Sequence, residues 1–186
     1  YLSAPPDALA AAAALDWPAS GLRVGIAWTG NPSHPKNRAR SVPLDLLATL
    51  FDLEDVHFFS LQIGAPEAEL KARKTRAVDL EPFTKDMADT AAQMMQMDLI
   101  LSIDTSMAHL AGALGRPLWV MLNKVADWRW LLEREDCPWY PNARLIRQPR
   151  QGDWHGVIER VRAELAELAA RKKVAESSPA NPASNL

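Results

Sequence analysis

Four short stretches of this chain are apolar at nearly every position, where a half-exposed strand would alternate. They are Val24-Gly25-Ile26-Ala27-Trp28, Val56-His57-Phe58-Phe59-Ser60-Leu61, Leu99-Ile100-Leu101-Ser102-Ile103 and Leu118-Trp119-Val120-Met121-Leu122. Such runs are too short for buried helices and read as strands hidden on both faces. Between them lie segments of helical spacing at 43–51, 66–74, 86–97 and 106–114. Met87, Ala91, Met94 and Met95 share one side of the third, and Gly115 followed by Pro117 stops the fourth. Shorter strands are predicted at 77–80 and 144–147, with a last helix at 154–171. Buried strands alternating with helices belong to α/β folds. The expected architecture is a doubly wound parallel sheet of about six strands, helices on both faces.

The 186 residues suffice for one domain that buries a core without disulfides or metals. Residues 1–21 are rich in Ala and Pro and read as a linker from a further domain, with a short helix over 7–15. The domain itself is expected at 22–171. The Ser-, Pro- and Asn-rich residues 172–186 are expected to be a disordered tail. The chain starts without methionine and reads as a piece of something longer; it contains no internal repeat. With 21 basic and 23 acidic residues the formal charge is −2, which argues against a nucleic-acid or anionic-membrane footprint. A single cysteine, Cys137, forbids an internal disulfide and points to a reducing, cytoplasmic setting. No apolar run approaches the roughly 20 residues of a membrane span, and the start lacks the charged region of a signal peptide.

In parallel sheets ligands bind beyond the carboxyl ends of the strands, so those ends are where chemistry is sought. The strongest signal is Asp104-Thr105-Ser106-Met107-Ala108-His109, where an apolar strand passes directly into a small-residue helix. Helix-start amides and the macrodipole favour an anion there, and His109 stands one turn further on as an added donor. On spacing alone the same residues serve equally well as a helix cap and a half-buried histidine. The second signal is the loop Thr29-Gly30-Asn31-Pro32-Ser33-His34-Pro35-Lys36-Asn37-Arg38-Ala39-Arg40. Its Lys36, Arg38 and Arg40 suit a pyrophosphate and Gly30 permits close backbone approach, although a basic loop is also simply a solvated one. Gln62, Gly64, Glu67, Glu81, Phe83 and Met87 fall near the next two strand ends, where a ribose and base would lie. Of the seven tryptophans, those in Asp127-Trp128-Arg129-Trp130 and Trp139-Tyr140 read as structural anchors.

Other chemistries lose their main support. There is no G-x-G-x-x-G after the first strand, no P-loop and no G-x-S-x-G elbow. The four histidines have no partner at metal-ligand spacing, no Asp-x-Asp pair occurs, and no acid–base pair typical of an epimerase stands at the strand ends.

Taken in order, Gly30-Asn31-Pro32, Arg40-Ser41, Ser60-Leu61-Gln62, Asp104-Thr105-Ser106 with His109-Leu110-Ala111-Gly112-Ala113-Leu114-Gly115, Asp127-Trp128-Arg129-Trp130-Leu131, Trp139-Tyr140-Pro141 and Gly152-Asp153-Trp154 form a pattern. It resembles the carboxyl-terminal domain of bacterial tetratricopeptide-repeat glycosyltransferases, relatives of the O-linked N-acetylglucosamine transferases. More distantly it is similar to the lipopolysaccharide heptosyltransferases. The resemblance covers about residues 22–165 and implies the C-terminal, Rossmann-like half of a GT-B fold. It implies a nucleotide-sugar donor such as a UDP- or ADP-sugar, no cofactor and no metal. By position it assigns Asp104, Thr105, Ser106 and His109 to the diphosphate and adjacent ribose, Lys36 to the pyrophosphate and Glu67 to the ribose. Gly30, Asn31, Gln62 and Phe83 complete the expected donor site. Lys36 and His109 would stabilise the leaving group, while the general base and the acceptor site, for a protein or glycan, would come from an amino-terminal domain with repeats upstream. Ser106 stands where heptosyltransferases usually have glycine. The competing reading is a non-catalytic nucleotide- or protein-binding module of the same fold.

Overall fold

A computed structural model describes residues 1–177, the side chains of Ala65 and Glu67 excepted. Six strands form one parallel sheet: β1 (Leu22–Ala27), β2 (Val56–Ser60), β3 (Val78–Asp79), β4 (Leu99–Ile103), β5 (Leu118–Leu122) and β6 (Ala143–Arg147). Their spatial order is β3-β2-β1-β4-β5-β6. Val24 is paired with both Phe58 and Leu99, so β1 and β4 form the middle. The chain builds outward from β1 in one direction, then returns to β4 and builds outward in the other. The reversal leaves a crevice between the carboxyl ends of β1 and β4, the place where doubly wound sheets take their ligands.

Seven helices cover the sheet among the described residues: α1 (Pro6–Ala13), α2 (Asn37–Arg40), α3 (Leu44–Ala48), α4 (Ala65–Ala72), α5 (Met87–Met95), α6 (Ser106–Ala113) and α7 (Trp154–Ser177). The period-two alternation along each strand sends side chains to opposite faces. Val24, Ile26, Leu99 and Leu101 meet Leu47 of α3 and Val157, Val161 and Leu165 of α7. Phe59, Ile100, Val120 and Leu145 face the other way, onto Met94 of α5 and Ala108 and Ala111 of α6. Every one of these side chains is buried, which is why the strands read as uninterrupted apolar runs.

Both ends of the chain depart from the expected boundaries. Residues 1–21 do not hang free: α1 lays Ala8 and Ala12 against Ala91 and Ala92 of α5, and the Leu2 amide donates to the Ala113 carbonyl at 3.0 Å. Alanine side chains let the two helix backbones approach, which a composition-based reading takes for a linker. At the other end α7 continues six residues past 171. Lys172 meets Asp98 at 2.6 Å, Lys173 meets Asp55 at 2.8 Å, and Glu176 accepts from the Gly21 amide at 3.3 Å. These tertiary partners hold the last turns in place. The remainder of the expected tail, 178–186, lies outside the described residues. Among the described residues no helix is long and apolar enough to cross a membrane.

Candidate functional site

A cleft of about 660 Å³ opens at the crevice between β1 and β4. Gly30, Asn31, Lys36, Gln62, Asp104, Thr105, Ser106 and His109 all line it, drawn from three strand-end loops far apart in sequence. Asp127 and Arg129, from the loop after β5, close the fourth side.

The turn from β4 into α6 forms the back wall. Thr105 is the N-cap residue in extended conformation, yet no side chain caps the helix. Its hydroxyl lies 3.2 Å from the Ser102 hydroxyl, turned away from the amides of the first turn. The capping role open to Thr105 and Ser106 from sequence is therefore not taken up. A helix start whose amides no side chain satisfies attracts an anion.

The loop after β1 is held by Asn37, the first residue of α2. Its Oδ1 accepts from the Gly30 amide at 3.0 Å, and its Nδ2 donates to the Thr29 hydroxyl at 3.3 Å. Arg40 then reaches across the crevice and donates to the Asp104 carbonyl at 2.8 Å, tying the β1 loop to the β4 turn. A Cβ on residue 30 would stand 2.6 Å from Arg40 Nη2, so glycine is what lets the guanidinium pass. Lys36 is exposed at the mouth of the cleft. Asn31 shapes the rim, its Oδ1 accepting from the Ser33 amide at 2.9 Å.

Electrostatics in the cleft are of both signs. Burial pushes the Asp127 carboxyl up, but the Arg129 amide, the Arg129 guanidinium at 2.8 Å and Lys36 together hold it below its ordinary value. Burial likewise drives His109 below its ordinary 6.5; Asp104 opposes this, Arg129 reinforces it and Asp127 opposes it. The imidazole is thus neutral at pH 7. It stacks on Trp130, ring centroids 5.2 Å apart and 17° from parallel, and its Nδ1 lies 3.0 Å from the Tyr140 hydroxyl.

Three expected residues stand differently. Gln62 is in the cleft wall, but its Oε1 is occupied by the Trp28 and Thr29 amides, both at 2.9 Å. It secures the end of β1, leaving only its amide N–H groups for a ligand. Phe83 is not in this cleft: it is 53 % exposed and borders a separate groove of about 230 Å³ beside Ala8 of α1 and Leu15 just beyond it. The two-residue edge strand β3 ends in a 3-10 turn, Glu81–Phe83, that leads back toward α5, where Gln93 donates to the Phe83 carbonyl at 3.1 Å. Glu67 falls within α4, and its side chain lies outside the described residues. Asn37, Asp127, Arg129 and Tyr140 line or order the cleft although sequence reasoning assigns them no site role: Asn37 is one member of a basic loop, and the other three fall in segments read as structural anchors. The position of Asp127 and Arg129 just beyond an apolar strand was the available signal, masked by the surrounding tryptophans.

The chain matches no protein-family model. It is 29% identical over 156 residues to Protein FlbA of Caulobacter vibrioides, covering 81% of this chain and 26% of that protein. Among solved structures it is similar to a glycosyl transferase family 9 protein of Veillonella parvula DSM 2008, with TM-score 0.64 and 12% identity, over 95% of this chain and 54% of that one. It is also similar to the ADP-heptose lps heptosyltransferase II of E. coli, with TM-score 0.63 and 16% identity, over 90% of this chain and 54% of that one. The E. coli heptosyltransferase WaaC with ADP gives TM-score 0.53 at 18% identity, over 86% of this chain and 48% of that one. The chain therefore spans about a quarter of its curated relative and about half of each of these structures. What these similarities establish is the fold. It is a six-stranded, doubly wound, Rossmann-like parallel sheet, similar to the corresponding half of each of these structures.

Proposed function

We propose that this chain is the donor-binding half of a glycosyltransferase that uses a nucleotide sugar and no metal. The observation carrying the reading is the uncapped start of α6, which stands at the topological switch point with Lys36, Arg129 and neutral His109 on the same cleft. In this reading the diphosphate rests on the amides of residues 105–107. Lys36 and His109 supply further donors to the charge that builds on the departing nucleoside diphosphate. Preorganised amides and a positioned lysine do there what a divalent cation does in other transferases. Gly30 and Asn31 shape the rim, Asp104 faces the ribose side, and the base lies toward Gln62 and α4, where Glu67 is the ribose acid. Phe83 has no part in it. The acceptor site, the general base and any tetratricopeptide repeats belong to other parts of the protein, so this chain alone binds nucleotide and transfers nothing.

Isothermal titration of the chain with UDP, ADP and GDP, with and without Mg²⁺, tests the reading. At least one nucleotide binds, its affinity is independent of Mg²⁺, and Lys36→Ala and His109→Ala each weaken it about tenfold, the worth of a charge-assisted hydrogen bond. Absence of binding by all three would overturn it. Binding that Lys36→Ala and His109→Ala both leave unchanged would remove the diphosphate from this cleft.

A further inference from the structure

The environment of His109 is built more closely than a surface donor requires. Trp130, 1 % exposed, stacks on one face of the imidazole, and Tyr140, 9 % exposed, meets its Nδ1 edge at 3.0 Å. Tyr140 can lie this close only because residue 112, on the same helix as His109, is glycine: a Cβ there would fall on the tyrosine ring. With Nδ1 turned inward to the phenol, Nε2 is the nitrogen left on the cleft side, 3.9 Å from Asp104 Oδ1.

A neutral imidazole carries one N–H, and its position decides whether it offers an anion a proton or a lone pair. Asp104 and Tyr140 face the two ring nitrogens, and Tyr1 meets the Tyr140 hydroxyl from outside. A proton on Nδ1 would leave a bare lone pair on Nε2 facing the Asp104 carboxylate, a repulsive pairing. A proton on Nε2 faces that carboxylate favourably, and the Tyr140 hydroxyl is then free to donate to Nδ1. We infer that Tyr140 is a positioning residue which, by donating to Nδ1, fixes the proton of His109 on Nε2 and presents it to the anion bound at the start of α6. The inference deepens the donor-site reading and rests on it for the identity of the anion, though not for the tautomer.

The hydroxyl is suited to this task because it works in both directions. With the Asp104 carboxylate disfavouring a bare Nε2, it donates to Nδ1 of the neutral ring, and it turns to accept from Nδ1–H only if the bound anion brings a second proton onto the ring. Phenylalanine can do neither. Burial and a hydrogen bond with the Tyr1 side chain push the Tyr140 phenol up to about 12, so the hydroxyl stays protonated. Its one proton can go to Nδ1 while the Tyr1 hydroxyl takes the donor role in their shared bond. The charged groups that face His109 are Asp104 from the β4 turn and Asp127 and Arg129 from the loop after β5. The two carboxylates favour a proton on the ring, while burial and Arg129 oppose a second.

The test is ¹⁵N spectroscopy of the histidine ring in the free 186-residue chain, with Tyr140→Phe beside the wild type, followed by titration of ADP, UDP and GDP. Wild-type His109 shows a protonated Nε2 and an unprotonated Nδ1. Tyr140→Phe keeps the native dispersion of the amide spectrum but shows mixed tautomers and binds nucleotide about three- to tenfold more weakly. In the His109→Ala background the same Tyr140→Phe change produces no further loss. A wild-type proton on Nδ1, an unchanged tautomer in Tyr140→Phe, or an affinity loss that persists without His109 would each overturn the assignment. If no nucleotide binds at all, the donor-site reading fails while the tautomer measurement still decides the role of Tyr140.

Discussion

His109 and Gly30 show how much of this site depends on what single side chains exclude. Because burial holds the folded pKa of His109 below its unfolded 6.5, the unfolded chain binds more protons as pH falls through that interval. Its contribution to stability is therefore complete above 6.5 and is lost as pH drops toward the folded value. Denaturation midpoints measured from pH 7.5 to 5 will fall less steeply in His109→Gln than in the wild type. At residue 30 the demand is steric. Gly30→Val displaces the Arg40 guanidinium and breaks its bond to the Asp104 carbonyl, at a cost of about 1–3 kcal/mol read by urea denaturation. The same variant weakens nucleotide binding, because the loop carrying Lys36 is no longer tied to the β4 turn.

Among the elements, the pairing of α1 with α5 is the most sensitive to volume. Ala92 is fully buried between them, and Ala92→Leu is expected to cost about 1–3 kcal/mol by overpacking. Thermal unfolding followed by circular dichroism checks this, and Ala11→Leu at the exposed edge of α1 serves as the tolerant control. This contact also marks the boundary of what the sequence makes legible. The strands were readable because burial on both faces writes itself as an unbroken apolar run, and the strand-end rule then located eight of the expected site residues on one cleft. An alanine-rich helix carries no such mark, since alanine is common in linkers and in tight helix contacts alike. The last turns of α7 were hidden for a related reason. Lys172, Lys173 and Glu176 look solvated in one dimension, and only the fold brings them to Asp98, Asp55 and Gly21. Phe83 was misplaced because a two-residue strand does not define which way its following turn leads.

Across the whole molecule, the far edge of the sheet is held to α7 by four alternating charges. Glu135 accepts from Arg160 at 2.8 Å and Arg144 at 3.2 Å, and Glu164 from Arg144 at 2.5 Å and Arg160 at 2.9 Å. The Arg160 hydrogen bond leads in lowering Glu135 below its ordinary 4.5, outweighing burial, with Arg144 adding to it. The sign follows: this contribution is present above 4.5 and disappears as pH falls through the lower folded value. Glu135→Gln should flatten the acid limb of the stability profile between pH 5 and 3, and added salt should shrink the difference because the carboxylate is half exposed.

The reversal of chain direction between β1 and β4 has a consequence for how far a sequence of this fold can change. The gap there is made by connectivity, so no particular side chain has to be kept for it to exist. Structures that share only 12% or 16% of residues with this chain have a similar fold, so most core positions can change while the connectivity that makes the opening stays. What such connectivity keeps is a socket, and the loops that rim it are free to be refitted for a different cargo.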